Sequence, residues 1–186
     1  KPASEKRFRV DHIVTLYSAI EIIKQKKKKL FCAFVDFSSA FDKVNRIDLW
    51  HKLLNNSIKG KFYNVLYSMY NNIKSCVSHN GIISPFFACE NGLRQGENLS
   101  PILFSLFLND MQNFIENHGG IGIELNDVPD ETQWLKLVLL LYADDTVILS
   151  DTAKDLQNCL NAFNEYCNLW HLNVNLNKTK IVVFGA

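Results

Sequence analysis

Tyr142-Ala143-Asp144-Asp145 lies within residues 137–149, between Leu137-Val138-Leu139-Leu140-Leu141 and Val147-Ile148-Leu149. The flanking runs have the length and apolarity of buried strands, and the acidic step between them reads as a hairpin turn. Turns favour Asp, so one Asp there carries little information. Two adjacent carboxylates repel each other, and nothing else in the hairpin neutralises them; a divalent cation would. Asp36 has a similar setting. It closes Phe34-Val35-Asp36-Phe37, the end of an aromatic and β-branched strand predicted over residues 30–37. A carboxylate there is costly unless it is paired or bound to metal. With that strand beside the hairpin, Asp36, Asp144 and Asp145 converge at one edge of an antiparallel sheet. Oxygen ligands suit Mg²⁺. Two ions about 3.5–4 Å apart can activate one oxygen and stabilise another in an in-line displacement on phosphorus. The residues therefore point to two-metal phosphoryl or nucleotidyl transfer, with an unusual acidic turn as the competing reading.

The rest of the chain supplies helices for this sheet. Ile13, Leu16, Ile20 and Ile23 predict a helix over residues 11–25. The lysines that follow, Lys24 and Lys26 to Lys29, fit a solvated helix C-terminus or a phosphate-contacting patch. Asn45 is a predicted N-cap, with Asp48 completing an approximate capping box and Trp50, Leu53 and Leu54 as the apolar stripe. A second helix is expected over residues 61–72. Residues 76–90 read as a hairpin turning at His79-Asn80-Gly81. Ser100-Pro101 predicts the start of a helix over residues 102–115, apolar almost all round and hence central, which Gly119-Gly120 ends. Thr152 caps a helix with one seam, Leu156, Leu160, Phe163, Cys167 and Trp170. Residues 181–184 form a last strand. The pattern is α+β, with antiparallel hairpins and helices.

Composition narrows the class. The 186 residues suit one domain, and 47% hydrophobic with 21% charged is an ordinary globular balance. This excludes a disordered tail, a collagen-like fibre and a disulfide scaffold. The net charge of +1 gives no overall preference for a polyanion. No apolar run reaches the roughly 18 residues of a membrane span, so no membrane partner is expected. Five cysteines without a C-x-x-C pair argue against structural zinc and for buried thiols in a reducing compartment. The five histidines have no metal-ligand or triad spacing. The chain opens on Lys1 and is expected to be a piece of a longer, intracellular protein, nuclear or cytoplasmic.

Four stretches together carry a resemblance. They are Phe34-Val35-Asp36-Phe37-Ser38-Ser39-Ala40-Phe41-Asp42-Lys43-Val44, Gly92-Leu93-Arg94-Gln95-Gly96-Glu97-Asn98-Leu99-Ser100-Pro101, Tyr142-Ala143-Asp144-Asp145-Thr146 and Asn177-Lys178-Thr179-Lys180. In this order and spacing the chain resembles the reverse transcriptase domain of non-LTR, LINE-like retrotransposons. Residues 2–9 depart from the family pattern, lacking its Gly-Phe-Arg-type stretch. The resemblance implies a right-hand polymerase palm with partial fingers, an antiparallel sheet packed on helices. Residues 1–29 would be partial fingers and 30–186 mainly palm with a fingers insertion, the thumb lying outside the chain.

The resemblance also implies roles. Asp36, Asp144, Asp145 and the Phe37 carbonyl would hold two Mg²⁺ ions, with Mn²⁺ an acceptable substitute. Phe41 would lie under the incoming sugar and exclude a ribose 2′-hydroxyl; on sequence alone packing is the favoured reading of this ring, and the resemblance reverses that. Gln95 and Gly96 would touch the nucleotide and the templating base, and Arg94 the template phosphate. Lys178 would stabilise or protonate the leaving pyrophosphate. The implied partners are an RNA template, a DNA primer and deoxynucleoside triphosphates. The expected activity is RNA-directed DNA polymerisation, with this piece inactive alone. Two rivals are a non-catalytic, nucleic-acid-binding remnant of a decayed element and a two-metal nuclease. A nuclease would need the carboxylates but not Phe41 or Gln95-Gly96.

Overall fold

Residues 30–36 form the strand around which the main sheet is laid. In the computed structural model, which describes residues 3–125, 136–142 and 145–185, the chain runs α1 (Ala3–Gln25), β1 (Leu30–Asp36), α2 (Arg46–Asn55), α3 (Gly60–Tyr70), β2 (Lys74–Ser75), β3 (Ser78–His79), β4 (Ile82–Ile83), β5 (Phe87–Ala88), α4 (Leu99–Phe107), α5 (Met111–Asn117), β6 (Ile123–Glu124), β7 (Lys136–Leu137), β8 (Leu139–Tyr142), β9 (Asp145–Ser150), α6 (Ala153–Leu169) and β10 (Lys180–Phe184). The chain divides into two compact units, residues 1–38 with 109–186, and residues 39–108. The length suits one domain, yet the second unit is inserted in the first between residues 38 and 109. Among the described residues no helix is long and apolar enough to cross a membrane.

The first unit holds a four-stranded antiparallel sheet in the order β10-β1-β9-β8. Alternation decides its two faces. Leu30, Cys32, Leu149 and Leu140 pack with Ala19 and Ile23 of α1, and Phe34 and Val147 join them. The opposite face carries Ala33 and Ile148, and it meets α6 through Ser150 Oγ near Cys159 Sγ and the Phe37 ring near Phe163. Helix α1 begins eight residues earlier than predicted, because residues 3–10 contain neither Gly nor Pro to stop it. Its packed stripe starts at Leu16, so Ile13 is left 61% exposed. Thr152 caps α6 as predicted, accepting from the Asp155 N–H. The buried face of α6 is wider than one seam, adding Cys159, Ala162 and Tyr166, because α6 packs on α5 as well as on the sheet.

The second unit is helical with a small hairpin. Asn45 Oδ1 accepts from the N–H groups of Ile47 and Asp48, the predicted N-cap. The buried face of α2 is Arg46, Leu49, Lys52 and Leu53, whereas Leu54 is exposed. Trp50 packs edge-on against Tyr63, Tyr67 and Tyr70, joining α2 to α3. β3 and β4 pair across Asn80-Gly81, both with positive φ, the backbone of a two-residue hairpin turn.

The predicted central helix over residues 102–115 is two helices. α4 ends at Phe107, residues 108–110 turn, and α5 starts at Met111. Asn109 and Asp110 compete with helical bonding, and the Asp110 carboxylate accepts from Tyr166 Oη at 2.6 Å. Ser100 is not the N-cap: α4 begins at Leu99, and Ser100 Oγ donates to the Arg94 carbonyl at 2.6 Å. Nor is α4 enclosed on every side, since Ile102 is 57% exposed. Gly120 does lie just past α5, where an added Cβ would collide with Ile115 Cγ2 and meet the Ile115 carbonyl at 2.8 Å.

Candidate active site

At the end of β1, Asp36 is the register partner of Asp145, the first residue of β9. The two carboxylates continue the face that carries Phe34 and Val147, one alternation further along each strand. Like charges directly opposite on adjacent antiparallel strands destabilise the pair. The apolar register nevertheless places them there, because sliding either strand by one residue would turn its whole apolar set to the wrong face.

The loop before β10 closes over this strand end. Ser38 N–H donates to the Asn173 carbonyl at 2.7 Å, and Asn175 N–H donates to the Asp36 carbonyl at 2.8 Å, flanking a bridge between Phe37 and Val174. Asp36 N–H reaches Thr179 Oγ1 at 3.4 Å. The same loop carries Lys178, whose Nζ is 3.6 Å from Asp36 Oδ2. That pair is solvent-accessible, with side-chain exposures of 70% for Lys178 and 30% for Asp36, so its net energy is small. Lys180, two residues on, donates to the Asn177 carbonyl at 2.8 Å. The Phe37 ring is buried against Phe163. Asp144, the third expected carboxylate, lies outside the described residues. Among the described residues no group of three His, Cys, Asp or Glu gathers in a metal-ligand arrangement. The donor set present is two carboxylates forced together by register, which fits a hard divalent cation bound through oxygen.

The remaining candidates belong to the second unit, which brings them together. Leu93 N–H donates to the Phe41 carbonyl at 2.7 Å and Gly92 N–H to the Val44 carbonyl at 2.8 Å. Gln95 Nε2 donates to Asp42 Oδ1 at 2.8 Å. The segments carrying Phe41 and Gln95-Gly96 are thus bonded to each other. Gly92 permits the approach: its φ is +87°, and a Cβ there would meet the Asp42 carbonyl oxygen at 2.7 Å. Gly96 also has a left-handed φ, +88°, but faces open space. The Phe41 ring packs against Phe104 at 5.1 Å between centroids. Arg94 is held by its own unit: it pairs with Glu97 at 2.9 Å, donates to the Met69 carbonyl and lies over the Tyr70 ring.

Two further residues matter here, Asp42 and, in the first turn of α2, Arg46. No local sequence pattern assigns a role to Asp42. Arg46 is buried, and it donates to four carbonyls: Gly92 at 2.9 Å, Tyr70 at 3.1 Å, Cys89 at 2.7 Å and Asn91 at 3.0 Å. Burial lowers its pKa from the ordinary value. One signal was available, since a cation in the first turn of a helix opposes the helix dipole and needs another reason to be there.

Comparison with known proteins gives the family and the fold. Residues 2–183 match the family described as reverse transcriptase (RNA-dependent DNA polymerase). The RNA-directed DNA polymerase from mobile element jockey of Drosophila funebris is 27% identical over 172 residues, covering 89% of this chain and 17% of that protein. The retrovirus-related Pol polyprotein from the type-1 retrotransposable element R2 of Nasonia vitripennis is 27% identical over 149 residues, covering 78% of this chain and 13% of its own length. The chain thus spans less than a fifth of these two relatives. Among solved structures, apo telomerase from Candida tropicalis, truncated from its C-terminal domain, superposes with a TM-score of 0.67 at 17% identity, over 96% of this chain and 35% of that one. Telomerase from Candida albicans, in complex with a fragment of telomeric RNA, gives 0.66 at 13% identity, over 94% and 30%. These two share the fold, a palm-like arrangement of helices on an antiparallel sheet. Reverse transcriptases use divalent metal ions, in keeping with paired carboxylates at a strand end. A match over nearly every residue, with the palm-like sheet and its acidic edge, makes this chain a member of the reverse transcriptase (RNA-dependent DNA polymerase) family.

Proposed function

We propose that this chain is the catalytic segment of an RNA-directed DNA polymerase that extends a DNA primer on an RNA template with deoxynucleoside triphosphates. The observation that carries the proposal is the register pairing of Asp36 with Asp145, with Lys178 beside Asp36. The reaction is attack of the primer 3′-hydroxyl on the α-phosphorus, with pyrophosphate leaving. Asp36, Asp144, Asp145 and the Phe37 carbonyl would hold two Mg²⁺ ions, which supply activation of the attacking oxygen and neutralisation of charge on the leaving one. Asp36 and Asp145 hold negative charge at the strand end for this purpose. Lys178, at the rim of the same carboxylate, stabilises or protonates the leaving pyrophosphate. Phe41 excludes a 2′-hydroxyl by contact, and Gln95 with Gly96 touches nucleotide and templating base. Arg94 would reach template phosphate by exchanging its bonds to Glu97 and the Met69 carbonyl.

The test is primer extension on an RNA template by the full-length protein carrying Asp145→Asn. Extension is expected to fall to background while the melting temperature stays level or rises, since one of two opposed charges is gone. Extension at the parental rate would overturn the proposal.

A further inference from the structure

The Asp42–Gln95 hydrogen bond carries information beyond the shape of its loop. Gln95 has both a donor and an acceptor on its amide, and either end could face a substrate. An aspartate carboxylate only accepts. With Gln95 Nε2 on Asp42 Oδ1 at 2.8 Å, the amide is held in one orientation and Gln95 Oε1 is directed elsewhere, as an acceptor. The backbone beneath is fixed by the Leu93–Phe41 and Gly92–Val44 bonds, so Asp42 and Gln95 do not drift apart. Both side chains are exposed, which means that burial of the unit does not depend on them. Asp42 also directly follows Phe41, so one short stretch supports both the sugar wall and the orientation of Gln95.

We propose that Asp42 is a positioning residue for nucleotide selection, which fixes the Gln95 amide so that it offers an acceptor oxygen to a hydroxyl or N–H donor of the substrate. This rests on the reading of Gln95 as a nucleotide contact. The experiment is single-nucleotide primer extension on an RNA template by the full-length protein, comparing Asp42→Ala, Asp42→Asn, Gln95→Ala and the Asp42→Ala/Gln95→Ala double variant, with melting curves for each. Asp42→Ala is expected to raise KM for the deoxynucleotide about three- to tenfold, the range of one lost hydrogen bond, with kcat changed much less. Its melting temperature stays near the parent's. Asp42→Asn, which retains an acceptor oxygen, recovers most of the loss. The double variant is no worse than Gln95→Ala alone, because the aspartate acts only through that glutamine. If Gln95→Ala raises KM and Asp42→Ala does not, or if the two losses multiply, the positioning role is overturned and the nucleotide contact stands. If Gln95→Ala itself leaves KM unchanged, the contact reading falls and the positioning role falls with it.

Discussion

Arg46 offers the sharpest test of how the second unit is held together. Its guanidinium is buried and its hydrogen bonds go to four backbone carbonyls, at Tyr70, Cys89, Asn91 and Gly92. These carbonyls belong to the end of α3 and to the stretch that leads into Arg94-Gln95-Gly96. Burial acts against the charged form and lowers the Arg46 pKa, yet an arginine stays protonated at any working pH. The four bonds must therefore offset that burial. A hydrogen bond to a charged group contributes about 1.5–3 kcal/mol net, and four sharing one side chain do not add in full. Arg46→Met keeps most of the volume, removes every donor and leaves the carbonyls to water or to nothing. A loss of about 3–5 kcal/mol is expected. Arg46→Lys keeps a charge and three donors without the planar fork, and should lose about half as much. Urea denaturation of the chain, read by circular dichroism, measures both. Arg46→Met within about 1 kcal/mol of the parent would refute the view that this guanidinium staples the loop, as would a lysine variant no better than methionine.

Lys178→Met should slow nucleotide addition at least tenfold through kcat, while stability changes by less than about 1 kcal/mol because the pair with Asp36 is exposed; a pre-steady-state burst assay with a melting curve checks both. Phe41→Val should admit ribonucleotides into the product with a smaller loss for deoxynucleotides, whereas a ring that only packs on Phe104 would give early melting and unchanged sugar selectivity. Burial pushes the Cys32 and Cys167 thiols up to about 12. They should resist alkylation at pH 8 in the folded chain, and the half-buried Cys76 and Cys89 should react first, as peptide mapping by mass spectrometry would show. The folded thiols hold their protons more tightly than unfolded ones, so their contribution is complete below about pH 9 and is lost as pH rises towards about 12.

The main sheet was legible because its strands are apolar and bounded by acids. Residues 30–37 and the runs around Asp145 could hardly be anything else, and the neighbourhood of the Asp36 strand and the acidic hairpin followed from requiring company for that carboxylate; that Asp145 belongs to β9 and pairs with Asp36, instead of lying in the turn, did not. Caps were legible where one side chain decides them, as at Asn45 and Thr152. The stretch around residues 98–117 was not. Its apolar residues keep helical spacing across the turn, from Leu103, Phe104 and Phe107 to Met111 and Ile115, and the meaning of Asn109-Asp110 becomes visible only with a partner far away in sequence, Tyr166. Ser100 looked like a cap because Ser before Pro usually is one; its hydroxyl is instead taken by the Arg94 carbonyl. Asp42 and Arg46 were invisible for the same reason. Their roles are defined by acceptors and donors 24 to 53 residues away in the chain, and no local pattern encodes those.

The placement of the carboxylates follows from the apolar residues before them. In β1 the α1-facing positions are Leu30, Cys32 and Phe34, and in β9 they are Leu149 and Val147. Each series continues by one more alternation to an aspartate, Asp36 in one strand and Asp145 in the other, and antiparallel pairing makes those two opposite partners. The apolar faces contribute many small gains that accumulate along both strands. Repulsion between two carboxylates at the solvent-accessible end opposes them at a single pair only, on the order of 1 kcal/mol or less. The sum favours the juxtaposition, and a shift of register that separated the acids would expose the whole α1-facing set. The hydrophobic alternation of β1 and β9 is therefore what brings two negative charges together, and a substitution at Cys32 or Val147 that loosened the register would lower the proposed primer extension without touching an acidic residue.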